Sequence, residues 1–276
     1  MKKSFKWSNL YLLLVFVILY LPIFYLTFYS FNAGGDMNGF TGFTWEHYQA
    51  LFEDKRLLLI VADTFLLAFL SALIATVIGT FGAMMIYYTK KVERRNLLLS
   101  LNNILMVSPD VIIGASFLIF FTMLGISLNF LSVMLSHVAF SIPIVVLMVL
   151  PKLKEMNPSL VDAAKDLGAT NWQIIRKVIV PFITPGIIAG YFMAFTYSLD
   201  DFAVTFFVTG NGFSTLAVEI YSRARQGISL EINALSTLLF LFSMLLVAGY
   251  YFISQENTTK KQRLNGKKQK EVADLL

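Results

Sequence analysis

Asp200 and Asp201 are adjacent in a long apolar stretch that holds no lysine or arginine, and Asp110 lies in a second such stretch directly after Pro109. A carboxylate in hydrocarbon is costly and normally faces a bundle interior, a partner or a solute path. With no lysine or arginine in these stretches to pair with, the natural counter-charge is a cation from outside the chain. Tyr197 lies three residues before Asp200, and Ser198 three before Asp201, so a ring and a hydroxyl share the helical faces of the acids. On a regular helix the two Asp side chains point about 100° apart. One could face a path while the other bonds locally or to a partner subunit; the bland alternative is a neutral Asp that caps freed backbone groups. Cysteine is absent, which excludes disulfides, thiolate chemistry and Cys-ligated metal. No G-x-x-x-x-G-K-[ST] phosphate loop occurs, so no ATPase site is expected in this chain, and no metal site is expected either.

The elements that must position these acids are membrane helices. The chain has 276 residues, 57% of them hydrophobic and 15% aromatic, far from a soluble composition. Apolar runs fall near 10–31, 57–88, 97–123, 130–150, 185–207 and 232–254. Each is long enough to cross the hydrocarbon as a helix, and the runs do not alternate as barrel strands would. The expectation is an all-α membrane protein with six transmembrane helices. The first run follows Lys2, Lys3 and Lys6 but is too long for a signal-peptide core and lacks a small-residue cleavage site, so it reads as a retained span. The expected divisions are an N-terminus at 1–9, a first span at 10–31, an external loop at 32–56, a five-helix core at 57–254 with a cytoplasmic loop at 151–184, and a tail at 255–276.

Charge sets the orientation. All but four of the 22 basic residues (Lys55, Arg56, Arg223 and Arg225) fall in the N-terminus, the 89–96 and 151–184 loops and the tail. The positive-inside rule makes that side, with both termini, cytoplasmic. The net charge of +5 is therefore topology rather than a nucleic-acid footprint. In this orientation the fifth span runs outward from Pro185 and carries Asp200 about 22 Å along its axis, while the third carries Asp110 about 20 Å from Leu97. The acids thus fall at similar depth in the outer half. Pro109 is expected to kink the third span beside its acid. A lone intramembrane His137 reads as a satisfied packing residue. Gly79 and Gly82 read as close-packing positions, Asp63 as a hydrated residue near the outer end of its span, and the charged tail as disordered.

The 151–184 loop is long enough to fold. Asn157 and Pro158 open a short helix that stops at Gly168. Thr170 and Gln173 form a capping-box pattern that opens a second, expected to end before Pro181, with Thr184 and Pro185 opening the fifth span in the same way. Ala164 and Gly168, one turn apart, would let another backbone approach.

Residues 162–181 resemble the signature loop of binding-protein-dependent ABC importer permeases, whose pattern is E-A-A, three residues, G, nine residues, I-x-L-P. Ala163, Ala164, Gly168 and Pro181 fall at that spacing; Asp162 stands for Glu, Val178 for Ile and Val180 for Leu. The resemblance implies a type I ABC importer permease fold over roughly Thr64 to the sixth span. It also implies that Asp162, Ala163, Ala164, Gly168 and Pro181 form the loop that docks on an ATPase subunit. By the same resemblance this subunit is no enzyme and holds no cofactor, ATP-Mg being bound by a cytoplasmic ATPase dimer. A second permease subunit of similar fold and an external binding protein complete the assembly.

The string from Tyr197 to Gly210, Trp45-Glu46-His47-Tyr48 and Ser108-Pro109-Asp110 are similar to spermidine/putrescine permeases, and parts of these strings are shared with permeases for iron, thiamine or phosphonates. The similarity implies a polyamine as cargo, delivered by a polyamine-binding protein to a bacterial cell membrane. Substrate-path residues are then Asp110, Tyr197, Ser198, Asp200, Asp201 and Trp45. Trp45 and Tyr48 would touch substrate or binding protein, or serve as an interfacial anchor. A multiply charged cation with methylene spacers suits carboxylates set among aromatic rings. The alternatives are another cation such as iron or thiamine in the same fold, or a cation-coupled secondary transporter, which predicts an inverted repeat that the chain does not display.

Overall fold

The computed structural model describes residues 7–245 apart from 211, 228 and 229, and the regular elements among them are all helices. The end of the expected sixth span and the tail lie outside the described residues. The helices are α1 (Trp7–Tyr29), α2 (Glu46–Glu53), α3 (Lys55–Tyr88), α4 (Val92–Val107), α5 (Asp110–Met123) and α6 (Phe130–Glu155). There follow α7 (Ser159–Asp166), α8 (Asn171–Ile174), α9 (Val180–Asp200), α10 (Ala203–Val208), α11 (Leu216–Gln226) and α12 (Leu230–Leu245). Among the described residues, four helices are long and apolar enough to cross a membrane, or five if the bent pair α4–α5 is one span.

Two of the expected spans are rebuilt by their prolines. The third is not one run over 97–123 but two helices meeting at 103°. Pro109 brings no N–H to the ladder and forces its predecessor out of helical geometry, and Ser108 is accordingly extended (φ −71°, ψ 138°). The Ser108 hydroxyl and N–H both bond back to the Ile104 carbonyl, closing the end of α4. The kink expected at Pro109 is thus a full break, and Asp110 is the first residue of α5 rather than a residue about 20 Å along one continuous axis.

The opposite happens at Pro181 and Pro185, where breaks were expected. Helix runs unbroken from Asn171 to Asp200, 30 residues in all. A wide turn over Ile175–Ile179, in which the Val180 N–H reaches back to the Ile175 carbonyl, precedes the proline. Such a turn makes room for a ring that a regular ladder would exclude. Thr184 does not cap a new helix; its hydroxyl bonds back to the Val180 carbonyl. The apolar run to 207, in turn, is interrupted at Asp201, which leaves helical geometry (ψ 121°) before α10 restarts at Ala203.

The chain forms two compact units. In the unit spanning Lys55–Ser222, α3, α6 and α9 pack around a core that includes Ala72, Val145, Val149, Leu153, Ile183 and Ala194. Close approach is written into small residues: a Cβ on Gly79 would stand 2.7 Å from the Val145 Cβ. A second cluster joins α3, α5, α6 and α10 through Leu67, Ile113, Phe121, Val133, Phe140 and Val204. The other unit comprises Met1–Asp54 with Arg223–Leu276. Within it, Tyr20 of α1 meets Phe240 of α12 at 6.3 Å between ring centres. Its segment between α1 and α2 folds around buried Asn32, whose amide donates to the Asp36 and Gly39 carbonyls and accepts from the Thr41 N–H.

Candidate functional site

The break between α9 and α10 sorts the adjacent acids to opposite environments. Asp200, the last residue of α9, is exposed. Asp201 turns inward, its side chain only 7% exposed. Its carboxylate accepts from the N–H groups of Val204 (3.3 Å) and Thr205 (2.8 Å) and from the Thr205 hydroxyl (2.7 Å). These are the orphan donors of the first turn of α10, so Asp201 holds the restarted helix in the manner of a cap.

Behind Asp201 lies a basic side chain, His137 of α6, fully buried. Its Nε2 is 2.9 Å from the Thr205 hydroxyl and 3.5 Å from Asp201 Oδ2. Its Nδ1 is 2.6 Å from the Ser198 hydroxyl, which is 2.9 Å from the Ser71 hydroxyl of α3. The donor count closes in two ways. With neutral His137, Ser198 donates to Nδ1, Nε2–H donates to Thr205, and Thr205 donates to Asp201. With imidazolium, Nδ1–H donates to Ser198, Ser198 to Ser71, and Ser71 to the Leu67 carbonyl at 2.7 Å. The network thus tolerates either proton state and ties α3, α6, α9 and α10 at one point.

On the other face, Tyr197 lies one turn before Asp200, and its hydroxyl donates to Asp110 Oδ1 at 3.0 Å. The bend at Pro109 delivers Asp110 to this ring as the first residue of α5. The Tyr197 ring rests edge-on against Phe140, 5.1 Å between centres, and Phe140 lies 4.8 Å from the His137 ring. Asp110, Tyr197 and Asp200 are all exposed.

The expected set of path residues therefore divides. Asp110 and Tyr197 are brought together beside Asp200, whereas Ser198 is buried and belongs with Asp201 to the internal network. Two expectations are corrected. The adjacent acids do not share a regular helix, and one of them, Asp201, is not without a basic partner. His137, set aside as a packing residue, is satisfied as expected, but what satisfies it is the acid pair's own support. Its sequence signal was its depth, comparable to that of the acids. Trp45 lies in the other unit, exposed, among the rings of Phe31, Phe43 and Tyr48 at 5.0–5.5 Å. Tyr48 itself is buried and meets the Ser30 hydroxyl at 2.7 Å. Among the described residues no three His, Asp or Glu side chains are placed to hold a metal ion.

At the other end of the Asn171–Asp200 helix, residues 156–170 link it to α6, which continues to Glu155. Asn157 Oδ1 accepts from the Ser159 N–H, Gly168 takes the left-handed φ of +79°, and Thr170 and Gln173 form the expected reciprocal capping box. Asp162, Ala163, Gly168 and Pro181 are exposed, while Ala164 turns inward against the core. Leu167, 88% exposed, stands out from the loop.

Residues 89–261 match the family model described as binding-protein-dependent transport system inner membrane component. The chain is 36% identical over 244 residues to the spermidine/putrescine transport system permease protein PotC of Escherichia coli (strain K12), covering 88% of this chain and 92% of that protein. It is 34% identical to the putrescine transport system permease protein PotI of the same organism, covering 84% and 85%. Among solved structures, a bacterial ABC transporter for import of the acidic polysaccharide alginate superposes with TM-score 0.69 at 17% identity, over 88% of this chain and 93% of that one. The MetNI methionine ABC transporter gives 0.59 at 19% identity, over 71% and 94%. At such identities these two speak for the fold.

Proposed function

Since the chain belongs to the binding-protein-dependent transport system inner membrane component family of membrane permease subunits, we propose that it carries polyamines, spermidine or putrescine, through an ATP-driven importer of the bacterial inner membrane. The observation that carries the cargo assignment is the exposed trio Asp110, Tyr197 and Asp200. Two carboxylates beside a ring attract an organic polycation by charge while the ring accommodates its methylenes. The 36% identity to a spermidine/putrescine permease supports the same reading.

Six spans with both termini cytoplasmic complete the topology. A second permease subunit shares the pore, and an external polyamine-binding protein delivers cargo to it, with Trp45 on the receiving side. A cytoplasmic ATPase dimer, which binds ATP-Mg, engages Asp162, Ala163, Gly168 and the exposed Leu167. The unbroken helix from Asn171 to Asp200 gives a mechanism for coupling. Its 30 residues span about 45 Å at about 1.5 Å per residue, so a push on the loop at one end tilts the acids at the other. ATP-driven closure would open the acid trio outward, and hydrolysis would return it inward. The trio is a passing station, with affinity vested in the binding protein.

The test is uptake of labelled spermidine and putrescine in cells lacking this chain, complemented with wild type or with Asp110→Asn plus Asp200→Asn. Restoration by wild type and loss in a variant that reaches the membrane is the expected result. Wild-type complementation of iron or thiamine uptake in place of polyamine uptake would overturn the cargo.

A further inference from the structure

At the coupling-loop end of the Lys55–Ser222 unit, a cavity of about 190 Å³ opens between the ends of α3, α4 and α6. Its floor is apolar: Ile86 and Leu150 are buried, and Leu99 and the Tyr87 ring half-buried. Its mouth carries Arg95, Asn96 and Lys154, all exposed. Neither cation makes an ion pair among the described residues. The acids nearest in sequence are otherwise disposed: Glu155 is held by Lys152 at 2.7 Å, and Glu93, two residues before Arg95, points to a different side of α4.

Two uncompensated cations on one cavity repel each other, and an anion seated between them removes that repulsion. Arginine offers a planar fork suited to phosphate, lysine a mobile point charge, and asparagine a further donor. The apolar floor has no use for a fully hydrated ion but fits the glycerol and first methylenes of an amphiphile. We propose that this cavity binds the phosphate headgroup of an anionic phospholipid. Basic pockets between membrane helices on the cytoplasmic side are suited to such headgroups. Inorganic phosphate shares the head chemistry but leaves the floor bare. The proposal does not depend on which solute is transported.

The experiment uses the detergent-solubilised transporter, this chain purified with its partner subunits, and measures retained phosphatidylglycerol against phosphatidylcholine. Arg95→Gln with Lys154→Gln empties the mouth of charge; Lys90→Gln with Arg94→Gln removes the same charge from residues that do not line the cavity. At roughly one surface-charge contact's worth of binding per residue, the first pair is expected to weaken phosphatidylglycerol retention about tenfold or more and the second only slightly. Asn96→Trp, which plugs the mouth without changing charge, should also lower retention, and it serves if the charge variant proves unstable. Equal loss in both charge variants would mean a diffuse basic face and overturn the site. So would full competition by inorganic phosphate, which would make it a small-anion site, or, in lipid-free detergent, release of the ATPase from the Arg95→Gln, Lys154→Gln variant but not from wild type, which would make the anion a protein carboxylate.

Discussion

His137 and Asp201, on different helices, face each other with Nε2 3.5 Å from Oδ2 and with Thr205 bridging them at 2.9 and 2.7 Å. This buried pair decides which of two neighbouring acids is exposed. By drawing Asp201 inward to hold the start of α10, it ends α9 at Asp200 and leaves Asp200 exposed.

The two acids should therefore fail differently. Asp200→Asn is expected to reduce spermidine uptake while leaving thermal stability of the purified complex within error. Asp201→Asn leaves a donor facing donors and should destabilise the chain by about 1–3 kcal/mol, read as a lower melting temperature. Equal stability of the two variants would mean that Asp201 is not holding α10.

Removing the imidazole should be worse than replacing it with another polar group. His137→Ala opens a hole and takes one hydrogen-bond partner each from the Ser198 and Thr205 hydroxyls, which keep Ser71 and Asp201, with an expected loss of about 2–5 kcal/mol. His137→Asn restores one hydrogen bond and should recover part of it. Both are checked by thermal melting alongside membrane abundance.

Gly210 closes the turn after α10 with φ +63°, and a Cβ there would collide with the Leu128 carbonyl oxygen. Gly210→Ala should destabilise by about 1–3 kcal/mol. Gly212→Ala shares the left-handed backbone (φ +97°) but meets open space, so its loss should be smaller. Melting temperatures of the two variants rank the collision against the backbone strain.

In the loop, neighbouring alanines have different duties. Ala163 is exposed, so Ala163→Trp should fold normally yet uncouple substrate-stimulated ATP hydrolysis from uptake. Ala164 packs against the core, so Ala164→Trp should lower the melting temperature, overpacking typically amounting to about 1–3 kcal/mol. A normal transport cycle in Ala163→Trp would remove this loop from the ATPase contact.

What the sequence determined by itself was local. Apolar run length specified helices, and the punctuation at Asn157, Gly168, Thr170 and Gln173 specified the loop, because a cap or a left-handed glycine acts within a few residues of itself. The acids and Tyr197 were legible as residue types for the same reason, since charge and aromaticity need no neighbours to be recognised, but the hydrogen bond from Tyr197 to Asp110 was not. Tertiary structure decided the rest. Pro109 bends its span by 103° while Pro181 and Pro185 are absorbed into a continuous helix. A proline only removes a hydrogen bond and adds a ring, and the surrounding packing determines whether the helix breaks or widens by one turn. Likewise the assignment of Asp201 inward and Asp200 outward awaited His137, 64 residues away in sequence. A buried carboxylate goes where its hydrogen bonds can be satisfied, and those partners are supplied by helices that only folding brings together.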